Sequence, residues 1–354
     1  MERMDNNIKA LFALVRSGLW ETEAHLLPYG NVDYLRILEL AERQGVVGLV
    51  AAGIEHVSDV KVPQSCVLQF IGSTLQIEQR NTLMNKFIEE VVENMRNAGI
   101  YTILVKGQGI AQCYERPLWR PSGDVDFLLS KDNYEKAKNY LLPMSSGQKP
   151  EERYSKHLGI NIDPWYVEIH GSLRSGLSER VDKEIDAVQR EVFYGGMVRS
   201  WMNGKTQVFL PAANEDVFFV FTHFIKHFYK EGMTLRQVCD WARLLWTYRD
   251  KVDTRLLAAR LKRAGLMGEW RAFSILAADI LGMPEEAMPL YNGKKIWTKK
   301  GEKILKFIVG GYSGNKYKDT FKLLKMFPRN TIRFLPGILW HINSLKIIER
   351  IKNI

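Results

Sequence analysis

The chain reads as an α+β protein: a small mixed β-sheet with flanking helices, held between an N-terminal helical region and a C-terminal helical bundle. Three observations lead there. Apolar residues recur at helical spacing up to residue 99 and again beyond Pro211. Between those stretches the period shortens to β-branched apolar runs broken by glycine turns. The section from Tyr101 to Leu173 then has the order β-α-β-α-β, an order of the α/β and α+β classes. At 354 residues the chain exceeds one simple core. The expected divisions are a helical region over 1–99, a catalytic core over 100–210, a second helical region over 211–293 and a basic helical tail over 294–354.

The elements follow from local pattern. Residues 1–7 carry charges of both signs, and the apolar stretch after them is short and broken by Arg16. Neither a signal peptide nor a membrane span is expected there. Helices are predicted over Ile8–Leu19, over Asp33–Gln44 with Asn31 as N-cap, and over Ser65–Asn97. In the last of these, Leu83, Phe87, Val91 and Met95 fall four apart, Ile88 and Val92 widen the stripe, and Gly99 closes the end. Tyr101–Val105 has the apolar content of a buried strand. Gly107 and Gly109 turn the chain into a short helix, Ile110–Glu115, and Pro117 and Pro121 bracket a loop. Val125–Leu129 is the next strand, and Ser130 caps a helix over Lys131–Leu142. Residues 144–153 are polar, contain Gly147 and Pro150, and read as a mobile loop. His157–Ile162 and Trp165–Leu173 read as an antiparallel pair turned at Asp163-Pro164. Residues 174–210 are mixed, and Val192–Leu210 reads as two strands around Asn203-Gly204, a hairpin signal. Helices return from Asn214 or Glu215 to Tyr229, then over Leu235–Tyr248, Thr254–Ala264 and Trp270–Leu281.

Composition narrows the function classes. The hydrophobic fraction of 46% and charged fraction of 25% are those of a globular protein. Cys66, Cys113 and Cys239 lie far apart in no zinc or disulfide pattern, so a reducing, cytoplasmic setting is expected. The net charge of +10 is uneven: residues 294–354 hold 15 Lys and Arg against 3 acidic residues, and the rest of the chain is close to neutral. The basic character belongs to the tail, which disfavours a long nucleic acid held by the core. For the tail three readings stand in order: a solvated helical face, a grip on RNA or DNA phosphates, and contact with an anionic membrane.

The chemistry concentrates between Leu104 and His170. Asp124 and Asp126 lie two apart in a strand, so both carboxylates point to one face. Two carboxylates that close repel unless a cation lies between them or one is protonated. Magnesium suits such a place, being a hard ion that keeps part of its shell for water and phosphate. Glu168, in a second β-like run, can supply a third carboxylate.

Three motifs, Val105-Lys-Gly107, Arg120-Pro-Ser-Gly-Asp-Val-Asp-Phe127 and Glu168-Ile-His170, together resemble the nucleotidyltransferase superfamily of the polymerase β type. They are most similar to one bacterial branch, an uncharacterised nucleotidyltransferase family. The resemblance is strong over 100–175 and continues weakly into the helices around His223 and Leu235–Asp240. It implies a polymerase β-like core and transfer of NMP from an NTP, ATP first, with release of pyrophosphate. The acceptor would be a hydroxyl or phosphate on a small molecule, sugar phosphate or protein. It also implies two Mg2+ ions, replaceable by Mn2+, on Asp124, Asp126 and Glu168. The nucleotide would meet Lys106, Gly107, Gln108, Gly109, Arg120 and Gly123, and the cleft would include His170, His223, Lys226, Arg236 and Asp240. The first turn reads Gly-Gln-Gly where the superfamily has Gly-Ser or Gly-Gly, and the third acid is Glu168 where aspartate is common; both fit the branch.

Blander readings stand beside these. Lys106 could solvate a strand end, and Arg120 could only balance the neighbouring acids. His170 could make a structural hydrogen bond. His223 and His227, four apart without a metalloprotease signature, read as cleft or core histidines rather than ligands. Arg236 and Asp240, four apart on a helix, would most simply form a surface ion pair. At the level of function the rivals are a nucleotide sensor without transfer and an RNA-end nucleotidyltransferase gripping with the tail.

Overall fold

The structure, a computed structural model, describes residues 5–152, 156–311, 313 and 315–352. The charged residues 1–4 and the end of the predicted 144–153 loop lie outside the described residues.

Four helices come first: α1 (Asn6–Trp20), α2 (Tyr34–Gln44), α3 (Val47–Glu55) and the long α4 (Gln64–Asn97). The N-cap of α2 is Asp33, whose carboxylate accepts from the Leu35 and Arg36 amides, and not the expected Asn31. Helix α3 went unseen in the sequence because it is apolar on nearly every side and buried on nearly every side. Along α4 the buried stripe is Phe70, Thr74, Asn81, Met84, Ile88, Val91, Val92 and Met95. The expected register is therefore rotated at one end, and Leu83 faces solvent.

The central section builds a five-stranded sheet from β1 (Thr102–Val105), β2 (Asp124–Leu129), β3 (Gly147–Gln148), β4 (His157–Ile162) and β5 (Trp165–His170). Its order is β1-β2-β5-β4-β3, antiparallel throughout except for the parallel pair β2/β5. Short helix α5 (Gly107–Ala111) follows β1, and α6 (Lys131–Leu141) makes the crossover after β2, capped by Ser130 as expected. Part of the predicted loop is β3, paired with the edge of β4. Residues 174–210 hold α7 (Glu179–Tyr194) before the hairpin β6 (Val198–Asn203) and β7 (Thr206–Pro211). The mixed pattern predicted no helix here and α7 was missed, although Val181, Ile185, Val188 and Val192 are all buried at helical spacing.

The C-terminal half is helical: α8 (Ala213–Lys230), α9 (Leu235–Thr247), α10 (Thr254–Ala264), α11 (Met267–Ile275), α12 (Lys295–Val309), α13 (Lys316–Met326) and α14 (Pro328–Lys352). A π-helical turn, Leu276–Ile280, extends α11.

Two apolar cores divide these elements. The smaller joins the C-terminal half of α4, α6 and the hairpin to one face of the sheet, through Leu104, Val125, Phe127, Leu129, Val167 and Ile169. The larger gathers α1–α3 together with α7–α14, so the first and last helical regions share one core. The tail is part of it: Ile304, Leu305, Phe307, Leu323, Phe327, Phe334 and Ile338 are all buried there. Among the described residues no helix is long and apolar enough to cross a membrane.

Candidate active site

Strand alternation creates the site. Along β5, Trp165, Val167 and Ile169 are buried in the smaller core, while Tyr166, Glu168 and His170 turn to the other face and stay partly open. On β2, Val125, Phe127 and Leu129 take the dry face, which leaves Asp124 and Asp126 on the face of Glu168. Parallel pairing puts Asp126 directly beside Glu168 and Asp124 beside Tyr166. One oxygen from each of Asp124, Asp126 and Glu168 lies within 4.8 Å of the others.

Lys106 enters from the end of β1. Its backbone has φ 60°, in the left-handed region, and Gly107 follows at φ 39°. This bend is uncommon for a residue with a side chain. It aims the ammonium at Asp126, with Nζ 2.6 Å from Oδ1. His170 Nε2 meets the same oxygen at 2.8 Å. His157, on β4, stands opposite His170 in the register, and the two rings stack at 4.6 Å. Its Nε2 lies 3.2 Å from Glu168 Oε2. His170 thus hydrogen-bonds Asp126, and both histidines stand within 3.5 Å of Glu168.

The charges set the titration. Burial would raise the Asp126 pKa, but Lys106 and His170 hold it well below the usual carboxylate range. Burial likewise works against the Lys106 ammonium, and the three carboxylates outweigh it, so its pKa rises. Asp124 is pushed up, chiefly by the neighbouring Asp126 charge and then by burial. Glu168 is lowered; burial opposes this, and His157 is the first group to overcome it. Burial keeps His170 below its ordinary value. Three carboxylates against one ammonium leave an excess of negative charge that suits a divalent cation, and an all-oxygen donor set suits a hard one.

A cleft covers this face. One part, about 670 Å³, is lined by Lys106, Gly107, Ser122, Gly123, Asp124, Asp126, His223, His227, Arg236 and Gln237, among others. A second, about 970 Å³, runs past Glu168, His157, His170, Lys226 and Glu231. Lys106, Asp124, His223 and His227 wall both. On α8, His227 Nε2 lies 3.0 Å from His223 Nε2, and His227 Nδ1 lies 2.7 Å from Glu231. Burial and then the Lys106 charge depress His223 well below its ordinary value. Lys226 sits 3.5 Å from Glu231 at the cleft wall.

Arg120, Gly123, Arg236 and Asp240 all line the first part of the cleft, and several predicted residues also have structural partners. Arg120 is buried and gives Nε and Nη2 to the two oxygens of Asp240, each at 2.7 Å; Tyr114 also donates to Asp240. The Arg236–Asp240 surface pair expected from spacing does not form. Asp240 faces inward to Arg120, and Arg236 donates to the Pro121 carbonyl at 2.9 Å. The buried Gln108 side chain turns to α4 and donates to Asn81 at 2.8 Å. Gly109 packs against Leu210, and Gly123 stands open at the start of β2.

Four residues escaped the sequence reading. Asn81 is a buried hub: it donates to the carbonyls of Leu118 and Arg120 and accepts from Gln108, so α4 ties both motif loops together. Its signal was a polar residue inside an apolar stripe. His157 was findable by counting outward from the Asp163-Pro164 turn, which pairs it with His170. Tyr166 leans across Gly159, where an added Cβ would lie 1.8 Å from its hydroxyl. Lys149 stands over the Tyr166 ring at 4.6 Å.

A mixed sheet that presents three carboxylates to a cleft, beside a glycine turn, has the makings of a nucleotidyltransferase-type core. A family model described as uncharacterised nucleotidyltransferase matches residues 30–282, and the chain belongs to that family. No curated protein and no solved structure matched it.

Proposed function

We propose that the protein is a Mg2+-dependent nucleotidyltransferase with a polymerase β-type core, moving NMP from an NTP, ATP first, to a hydroxyl or phosphate acceptor. The observation that carries this reading is the convergence of Asp124, Asp126 and Glu168 on one sheet face within 4.8 Å. Membership of a nucleotidyltransferase family supports it.

In the transfer, an acceptor oxygen bonds to the α-phosphorus, the bond from that phosphorus to the bridging oxygen of the β-phosphate breaks, and pyrophosphate leaves. Glu168, ionised and at the cleft surface, takes the proton of a hydroxyl acceptor. Asp124, Asp126 and Glu168 would hold Mg2+, or Mn2+ in its place, in one or two sites. Bound there, the ion supplies charge neutralisation for the triphosphate and acidifies the acceptor hydroxyl. His170 holds Asp126 in orientation, as the hydrogen-bond partner of a ligating carboxylate does, and His157 stands beside Glu168 at 3.2 Å. Lys106 balances the acids and lies within reach of an incoming phosphate, and Arg236 faces the cleft beside Gly123 and Asp124.

The test is incubation of the full chain with each α-labelled NTP, Mg2+ and a cell extract. Label should move to a product with release of pyrophosphate, and the Asp124→Asn, Asp126→Asn double variant should give neither. Equal signals from wild type and double variant would refute the reading.

A further inference from the structure

Helix α14 buries one face and leaves another apolar. Thr331, Phe334, Ile338 and Ile342 point into the larger core, at helical spacing. Ile332, Leu335 and Leu339 recur at the same spacing on the outside, 63%, 37% and 40% exposed, with Trp340 also exposed. Helix α13, in contact with α14, adds exposed Phe321 and Tyr317. Exposed apolar residues grouped on adjoining helices mark an interaction surface.

Charge is interleaved with them. Lys325 Nζ lies 4.5 Å from the Phe321 ring centre, and Arg329 precedes Ile332 by one helical turn. Lys318 and Lys322 are exposed on α13. Four lysines, Lys303 and Lys306 of α12 and Lys322 and Lys325 of α13, line an adjoining depression together with Phe307 and Met326. The surface lies on residues beyond 282, where the family match ends.

We infer that the outer surface of α13 and α14 docks on an anionic lipid membrane as a peripheral contact. A second copy of the chain is disfavoured because self-pairing would set this positive surface against itself. Nucleic acid would use the lysines and could stack on Phe321, but it has no use for the aliphatic row Ile332, Leu335 and Leu339. Acyl chains bury such a row while headgroup phosphates meet the lysines. The surface is joined firmly to the rest of the protein. Lys316 donates to the Lys230 carbonyl at the end of α8, and Gly337 packs so close to Gly176 that an added Cβ would lie 2.2 Å from its carbonyl oxygen.

The experiment is co-sedimentation of the full chain with phosphatidylcholine vesicles, with and without phosphatidylglycerol, beside a gel-shift assay with single-stranded RNA. Binding to the mixed vesicles and not to phosphatidylcholine alone is expected. Ile332→Ser with Leu339→Ser should weaken it about tenfold or more. Lys318→Gln, Lys325→Gln and Arg329→Gln together should weaken it about a hundredfold. All five positions are exposed, and circular dichroism would verify that the variants fold. Failure to bind the mixed vesicles, or binding indifferent to the aliphatic substitutions, overturns the proposal. RNA binding that survives those substitutions, without vesicle binding, would assign the surface to nucleic acid instead.

Discussion

Two buried ion pairs stand close together and serve opposite ends. Asp240 is closed: Arg120 takes both of its oxygens and Tyr114 adds a third hydrogen bond. Asp126 is held at one oxygen, where Lys106 and His170 converge; both pairs line the same cleft, so cleft position alone does not separate them. The first arrangement locks the loop before β2 to α9. The second keeps an ionised carboxylate at the cleft wall, steadied but with coordinating capacity in reserve. Both are buried aspartates with a cationic partner, so what separates scaffold from site is whether the partners use up the lone pairs.

The largest effect should come from opening the comparison at Asp126. Asp126→Asn removes a charge without changing shape and should lower NMP transfer by about a thousandfold or more. Its unfolding free energy should change less than that of Arg120→Met. Steady-state kinetics and urea titration on the same preparations decide this. An Asp126→Asn protein that is badly destabilised yet active would invert the assignment.

Arg120→Met tests the closed pair. It leaves Asp240 buried without its cation, a loss of about 3–5 kcal/mol in comparable pairs. Adding Asp240→Leu should restore part of that stability, since it removes the unpaired carboxylate but leaves the Tyr114 hydroxyl without its acceptor. A double variant no better than Arg120→Met would mean that the pair does more than satisfy its own charges.

Asn81→Ala should act on both regions. It removes the donor to two loop carbonyls and the acceptor for Gln108, so a cost of about 1–3 kcal/mol is expected. Because those loops carry Lys106 and Asp124, the KM for NTP should rise more than kcat falls. Loss of stability with unaltered kinetics would confine Asn81 to the scaffold.

The open pair was more legible in the sequence than the closed one, for a physical reason. Asp124, Asp126, Glu168 and His170 lie in strands, where a period of two fixes the face once a strand is recognised. Arg120 and Asp240 lie 120 residues apart on a loop and a helix. Nothing local says that they meet, and i,i+4 spacing argued for the wrong partner. Helix α10 was found with one face polar and α3 was lost where burial is general, but α7 was missed although its buried residues keep helical spacing. The tail's charge was plain in composition, but only the packing of α14 showed that its apolar residues divide between the core and the surface.

The smallest effect concerns protons within the acid cluster. Asp124 and Asp126 shift in opposite directions, the first up because of its neighbour's charge and the second down because of Lys106 and His170. As pH falls, Asp124 should take a proton first, and a divalent ion should lose affinity through that same range. The stability signs are opposite too. A raised carboxylate costs stability once ionised, so protonating Asp124 relieves strain. A lowered one contributes stability above its unfolded pKa, which is lost as pH drops through its folded value. Carboxyl 13C titration by NMR should place the Asp124 midpoint above the ordinary aspartate value and Asp126 below it. In Asp126→Asn the Asp124 midpoint should fall toward the ordinary value, because its largest perturbation is gone. A midpoint that stays put would assign the shift to burial, and the two carboxylates would then titrate independently despite sharing a strand.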